Sequence, residues 1–206
     1  VPDKSISDLY GDFSLGLFRV VDNSGNDTGK YLGYDCMTPT STGTCASSKS
    51  LIAKDYNIFR NPSYSCQFRL YDLGNNEYMM YITDPDNINL KYIMKPNQTG
   101  TLTYTTLTAI KEERGWWFEE IDKSKNKIRL KWNYPASPVA ATATGGSYLV
   151  IDGSNNASMG TSGTVFICIR CSRIDPGTGT CASSSTIYVD HDLDYLTSPV
   201  PMTPTL

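Results

Sequence analysis

Residues 115–132, Gly-Trp-Trp-Phe-Glu-Glu-Ile-Asp-Lys-Ser-Lys-Asn-Lys-Ile-Arg-Leu-Lys-Trp, decide the fold. Two short runs rich in aromatic and aliphatic residues, 116–121 and 127–132, flank the polar cluster Asp122 to Asn126, so the stretch reads as strand, tight turn, strand. The same pattern recurs along the chain. Strands are expected at Leu17 to Val21, Lys30 to Tyr34, Gln67 to Tyr71, Tyr78 to Ile82, Lys91 to Met94, Thr101 to Leu107, Ser147 to Ile151, Val165 to Arg170 and Thr186 to Val189. Turn signals at Asp22 to Gly25, Leu73 to Asn76 and Asp152 to Asn155 separate several of them. Helix periodicity is weak almost everywhere, and the chain reads as all-β, a barrel or a sandwich.

The chain has 206 residues, enough for one domain with a real core. Charged residues make up only 19% and the net charge is −3, which leaves no broad basic surface for nucleic acid. No apolar run approaches the roughly 20 residues of a membrane-spanning helix, so no membrane insertion is expected. Val1 and Pro2 stand where an initiator Met and an apolar leader would, so removal of an upstream segment is expected. Six cysteines and three N-x-[ST] sequons, at Asn26, Asn97 and Asn156 in turn-like stretches, point to a secreted, extracellular glycoprotein.

A degenerate internal similarity suggests three units. "KYLGYD" at Lys30, "KYIMKP" at Lys91 and "SYLVID" at Ser147 share an aromatic and aliphatic pair. Each precedes a second element: "FRLYDLGNNEYMM", "FEEIDKSKNKIRL" and "VFICIR". In this the chain resembles the β-trefoil superfamily, which includes ricin-B-like lectins and Kunitz (soybean trypsin inhibitor-like) proteins. "VVDNSGNDTGKYL" and "GWWFEEIDKSKNKIRLKW" are similar to Kunitz segments, and the resemblance runs from Phe13 to Arg170. It implies a β-trefoil-like barrel of three units. The cysteines do not fall at the Kunitz positions and no Q-x-W sugar-binding motif occurs, so the diagnostic functional motifs of both families are missing. "FRNPSYSCQF" is the nearest candidate for an inhibitory loop, with Arg60 or Ser65 as the residue presented. The expected organisation is an N-terminal extension at 1–12, a trefoil-like domain at 13–190, and an acidic, then Pro/Thr-rich, extended tail at 191–206.

Chemistry-bearing groups are few. The single histidine, His191, is flanked by Asp190, Asp192 and Asp194; in an extended segment the acids point away from it, which gives a solvated acidic edge rather than a general base. No Gly-x-Ser-x-Gly elbow is present. Glu112, Glu113, Glu119 and Glu120 are neighbours on the chain, whereas a glycosidase needs two carboxylates across a cleft. The reading is therefore no enzyme, no metal and no cofactor. Cys168 and Cys171 have C-x-x-C spacing inside a β run without a second such pair, so disulfides are expected: Cys36 with Cys45 and Cys171 with Cys181, each closing a loop that ends in "TGTCASS", leaving Cys66 and Cys168 as a long-range pair.

"GWWF" supplies the candidate binding residues. Adjacent strand residues face opposite ways, so one of Trp116 and Trp117 faces the core and the other faces out, near Tyr104 or Tyr134. The expected function is a non-enzymatic binding module for glycans or extracellular proteins. The alternatives are a structural subunit that self-assembles by docking its C-terminal tail on a neighbouring copy, and a Kunitz-like protease inhibitor.

Overall fold

The computed structural model describes residues 4–5, 13–38, 40, 44–97, 100–106, 109–110, 115–132, 147–171 and 187–188. The first two strands are β1 (Lys4–Ser5) and β2 (Phe13–Val21). They are followed by β3 (Asp27–Asp35), β4 (Ser50–Asp55), β5 (Phe68–Gly74), β6 (Glu77–Thr83), β7 (Lys91–Pro96), β8 (Leu102–Thr106) and β9 (Ala109–Ile110). The series closes with β10 (Trp116–Asp122), β11 (Lys127–Trp132), β12 (Tyr148–Ile151), β13 (Ala157–Gly160), β14 (Val165–Cys171) and β15 (Ile187–Tyr188). Among the described residues helix is confined to single turns: 3₁₀ turns at Tyr56–Ile58 and Lys123–Lys125, and α1 (Pro62–Ser65). The all-β expectation holds.

Six strands pair antiparallel in a circuit: β2 with β5, β5 with β6, β6 with β10, β10 with β11, β11 with β14, and β14 back to β2. Three hairpins hang from it, β3–β4 on β2, β7–β8 on β6 and β12–β13 on β11. "KYLGYD", "KYIMKP" and "SYLVID" thus open the three hairpins. β15 extends the sheet from β14, and β1 with β9 forms a separate two-stranded piece.

Phe18 of β2 lies at the centre of the main core. Its ring meets Phe68 of β5, Phe118 of β10 and Phe166 of β14 edge to face, at 5.5, 5.7 and 6.3 Å between centroids. Edge-to-face contacts place positive ring edges on negative ring faces, worth about 0.5–1.5 kcal/mol each beyond the area buried. Gly16, two residues earlier on β2, has a Leu70 methyl 2.9 Å from where a Cβ would sit, so a side chain there would have to push the end of Leu70 aside.

Aspartates set the turns. Asp22 Oδ1 accepts from the backbone N–H groups of Ser24 and Asn26, and Asp152 Oδ1 does the same for Ser154 and Asn156. These are the same Asx device used twice, in "DNSGN" and "DGSNN". Asn75 and Asn76 take φ of 54° and 62° in the β5–β6 turn, and Asn126 takes 55° before β11, the left-handed region asparagine tolerates.

Four strands were not anticipated from sequence: β4 (Ser-Leu-Ile-Ala-Lys-Asp), β13 (Ala-Ser-Met-Gly) and the two-residue β1 and β9. β13 has no β-branched or aromatic residue, and its strand state comes from pairing with β12, Tyr148↔Gly160 to Ile151↔Ala157. The cysteine pairing is corrected in one place. Cys36–Cys45 forms, with Cα atoms 5.6 Å apart. A Cys66–Cys168 bridge does not: Cys66 is a buried free thiol among Leu17, Phe59 and Ile169, whereas Cys168 packs with Phe166 and Phe18. Residues 168 and 169 project to opposite faces of β14, so the strand separates the two sulfurs. Cys181 and the tail at 191–206 lie outside the described residues.

Candidate functional site

Trp116 and Trp117 divide as neighbouring strand residues must. Trp116 is fully buried, donates from Nε1 to the Met94 carbonyl at 2.9 Å and meets Trp132 edge to face. Trp117 is half-buried on the outer face, paired in register with Lys131 of β11, which is in turn paired with Tyr148 of β12. Lys131 Nζ sits 5.6 Å from the ring centroids of both Trp117 and Tyr148, a cation flanked by two aromatics.

Along the same face follow Glu119 and Arg129, again register partners. The Tyr148 hydroxyl donates to Glu119 Oε2 at 2.8 Å, and Arg129 Nη1 lies 3.7 Å from Glu119 Oε1. The hydrogen bond to Glu119, aided by burial, holds the Tyr148 phenol above its ordinary pKa, so it stays a donor. Arg129 also donates from Nε to the Gly163 carbonyl at 3.1 Å. A Cβ at Gly163 would come 2.7 Å from Tyr148 Cδ1 and 3.0 Å from Arg129 Cδ. Glycine leaves the space that these two side chains occupy.

Arg129 and Gly163 form one wall of a cleft of about 620 Å³ between the β2–β3 turn, the β10–β11 turn and the segment leading into β14. Lys127 also lines it and donates to the Gly25 carbonyl at 3.1 Å. Val21, Ile121, Val150 and Val165 give it apolar surface, Ile121 being an exposed large hydrophobic residue. Asp22 and Asp122 line it as well; Asp122 holds Ser124 through both its N–H and its hydroxyl, and these bonds keep its carboxyl below the usual range. Strand face and cleft are continuous through Arg129, and together they offer aromatic plates, hydrogen-bonding groups of both kinds and a concave end.

The structure does not bring Tyr104 to this face. Its hydroxyl accepts from Leu51 N–H at 2.9 Å and its ring tilts against Tyr34 at 5.3 Å, which ties hairpin β7–β8 to hairpin β3–β4. Tyr134, His191, Glu112 and Glu113 lie outside the described residues, whereas Glu120 is exposed. Tyr148, Arg129 and Lys131 went unselected in the sequence because their relation to Trp117 depends on the pairing of β11 with β12. The sequons differ in setting: Asn26 and Asn97 are exposed and Asn156 is half-buried.

Neither candidate inhibitory residue is presented to solvent. Ser65 is fully buried, and the Arg60 side chain is only 8% exposed. Its Nε donates to Asp35 Oδ1 at 2.7 Å and its two Nη atoms grip Asp86 at 2.7 and 2.8 Å. Lys54 reaches Asp35 at 3.3 Å, and Lys49 joins Asp84 and Asp86 at 2.8 and 3.1 Å. Burial alone would raise the Asp35 carboxyl; hydrogen bonds from Arg60 and the Cys36 N–H, with the Lys54 charge, bring it below its ordinary value. This is a structural lock. Asp35, Cys36 and Cys45 also cluster as potential metal ligands, but the two sulfurs are joined to each other and Asp35 is filled by N–H donors.

No family model, curated protein or solved structure matches the chain.

Proposed function

We propose that this chain is a secreted, non-enzymatic carbohydrate-binding protein with a β-trefoil-like barrel, which holds a glycan along the outer face of β10–β11 and into the adjoining cleft. The fold reading is supported by the six-strand circuit with three pendant hairpins, and by the equivalent placing of Phe68, Phe118 and Phe166 around Phe18. Export is supported by the Cys36–Cys45 disulfide and by exposed Asn26 and Asn97.

One observation carries the binding reading: Trp117 and Tyr148 flank Lys131 on an open strand face that runs into a cleft. Aromatic faces stack on the apolar faces of sugar rings, while Glu119, Arg129 and the carbonyls of the cleft provide the mixed acceptors and donors that hydroxyl groups need. The test is a panel of neutral and acidic oligosaccharides against the purified chain, followed by titration calorimetry on any that bind. Trp117→Ala and Tyr148→Ala should each weaken binding by about tenfold or more, the loss of a central aromatic contact. Binding to no glycan, or binding indifferent to both substitutions, refutes the proposal.

A further inference from the structure

We infer that the ligand is an acidic polysaccharide with carboxylates on its sugar units, read by Lys131, Arg129 and Lys127; this rests on the glycan reading above. The three cations occupy alternate positions of β11 and share its outer face, about 6.6–6.8 Å apart along the strand. What distinguishes them is what they touch. Lys131 lies between two aromatic rings, and Lys127 donates to a backbone carbonyl. Arg129 donates to another carbonyl and meets its nearest carboxylate, Glu119, only at 3.7 Å. Glu119 is itself shared with the Tyr148 hydroxyl.

Rings and carbonyls orient these cations without neutralising them, and the exposed or half-buried Arg129–Glu119 and Lys127–Asp122 neighbours offset their charge only weakly. An ammonium has three donors and a guanidinium five, so each side chain keeps N–H groups to offer. A carboxylate arriving over this face would form charge-assisted hydrogen bonds with groups already held in place. The remaining charges narrow the choice. Asp22 and Asp122 put negative charge in the cleft that Lys127 lines, and the whole chain carries −3. A densely sulfated polymer would meet repulsion there, whereas a uronate chain, with at most one carboxylate per sugar and hydroxyls between, can set its acids against the cations and its hydroxyls against Asp22 and Asp122.

The experiment measures binding of oligogalacturonate, oligomannuronate and hyaluronan oligomers, each beside its carboxyl-reduced counterpart, with heparin as the dense polyanion. At least one uronate oligomer should bind, lose affinity as salt is raised, and bind about tenfold or more tighter than its reduced form, as a charge-assisted contact implies. Heparin should bind more weakly than that oligomer. Lys131→Gln and Arg129→Gln should each cost about tenfold toward the uronate and distinctly less toward the reduced form, which keeps only the contacts to hydroxyls, with circular dichroism confirming the fold. Equal binding of a uronate and its reduced form overturns this inference and leaves the glycan reading standing. Tighter binding of heparin also overturns it. If neither acidic nor reduced oligomers bind and the neutral panel fails too, the glycan reading falls with it.

Discussion

Strand pairs β2–β14 and β10–β11 belong to the same circuit, and their core faces are alike: Phe18, Phe166 and Cys168 on one, Trp116, Phe118, Ile128 and Leu130 on the other. Their outer faces are not. On β2–β14, Leu17 opposite Ile169 is buried beneath Tyr56 and Phe59, which arrive from the segment between β4 and β5. A third pair, β5–β6, also buries its outer Met79 and Tyr81. On β10–β11 the corresponding positions carry Trp117 opposite Lys131 and Glu119 opposite Arg129, all half-buried. A strand's alternation separates its two faces, and what decides whether the second face is core or surface is whether another segment comes to cover it.

The largest effect should come from releasing the cover. Arg60 lies between the 3₁₀ turn and α1 and pins that segment to Asp35 and Asp86. Arg60→Ala leaves Asp35 buried with only Lys54 as ion partner, and should cost about 3–5 kcal/mol in urea unfolding. Acid should act on the same lock. Because the folded Asp35 carboxyl sits below its ordinary value of 3.8, the stability it contributes is present above that pH and is lost as pH falls through the lower folded value. The midpoint of acid unfolding therefore reports on it, and Asp35→Asn should flatten the profile there; an unchanged profile would show that Asp35 does not govern it.

Next in size is the paired substitution across the two outer faces. Leu17→Ala should destabilise by about 2–5 kcal/mol without touching glycan binding, whereas Trp117→Ala should cost about 1 kcal/mol of stability and most of the binding. Equal stability losses would mean that the β10–β11 face is core after all. The smallest expected effect is at Gly163, where a single added methyl must displace the Tyr148 ring or Arg129. Gly163→Ala should lower glycan affinity several-fold while changing stability by about 1 kcal/mol or less, measured by calorimetry beside thermal unfolding.

The β10–β11 hairpin could be read almost to the residue. Lys127–Trp132 matches its expected bounds and Trp116–Asp122 is one residue longer than anticipated. The Cys36–Cys45 bridge was equally legible, because a separation of nine residues makes it a local event. β13 was not, since nothing in Ala-Ser-Met-Gly favours a strand until β12 is beside it. Arg60 stood only as the nearest candidate in "FRNPSYSCQF", and its burial could not be read there because its acceptors, Asp35 and Asp86, are 25 and 26 residues away.

Sequence alone determined what is short-range: strands from runs of aromatic and β-branched residues, turns from Asp, Asn and Gly, one small disulfide loop, and that two adjacent tryptophans face opposite ways. Tertiary structure decided which outer faces are closed and which is open. Covering β2–β14 depends on a segment held by ion pairs across the fold, and assembling Trp117, Lys131, Tyr148 and Arg129 depends on strand register between distant segments. Alternation assigns a residue to a side of its strand, but what lies over that side is fixed only when the chain has closed.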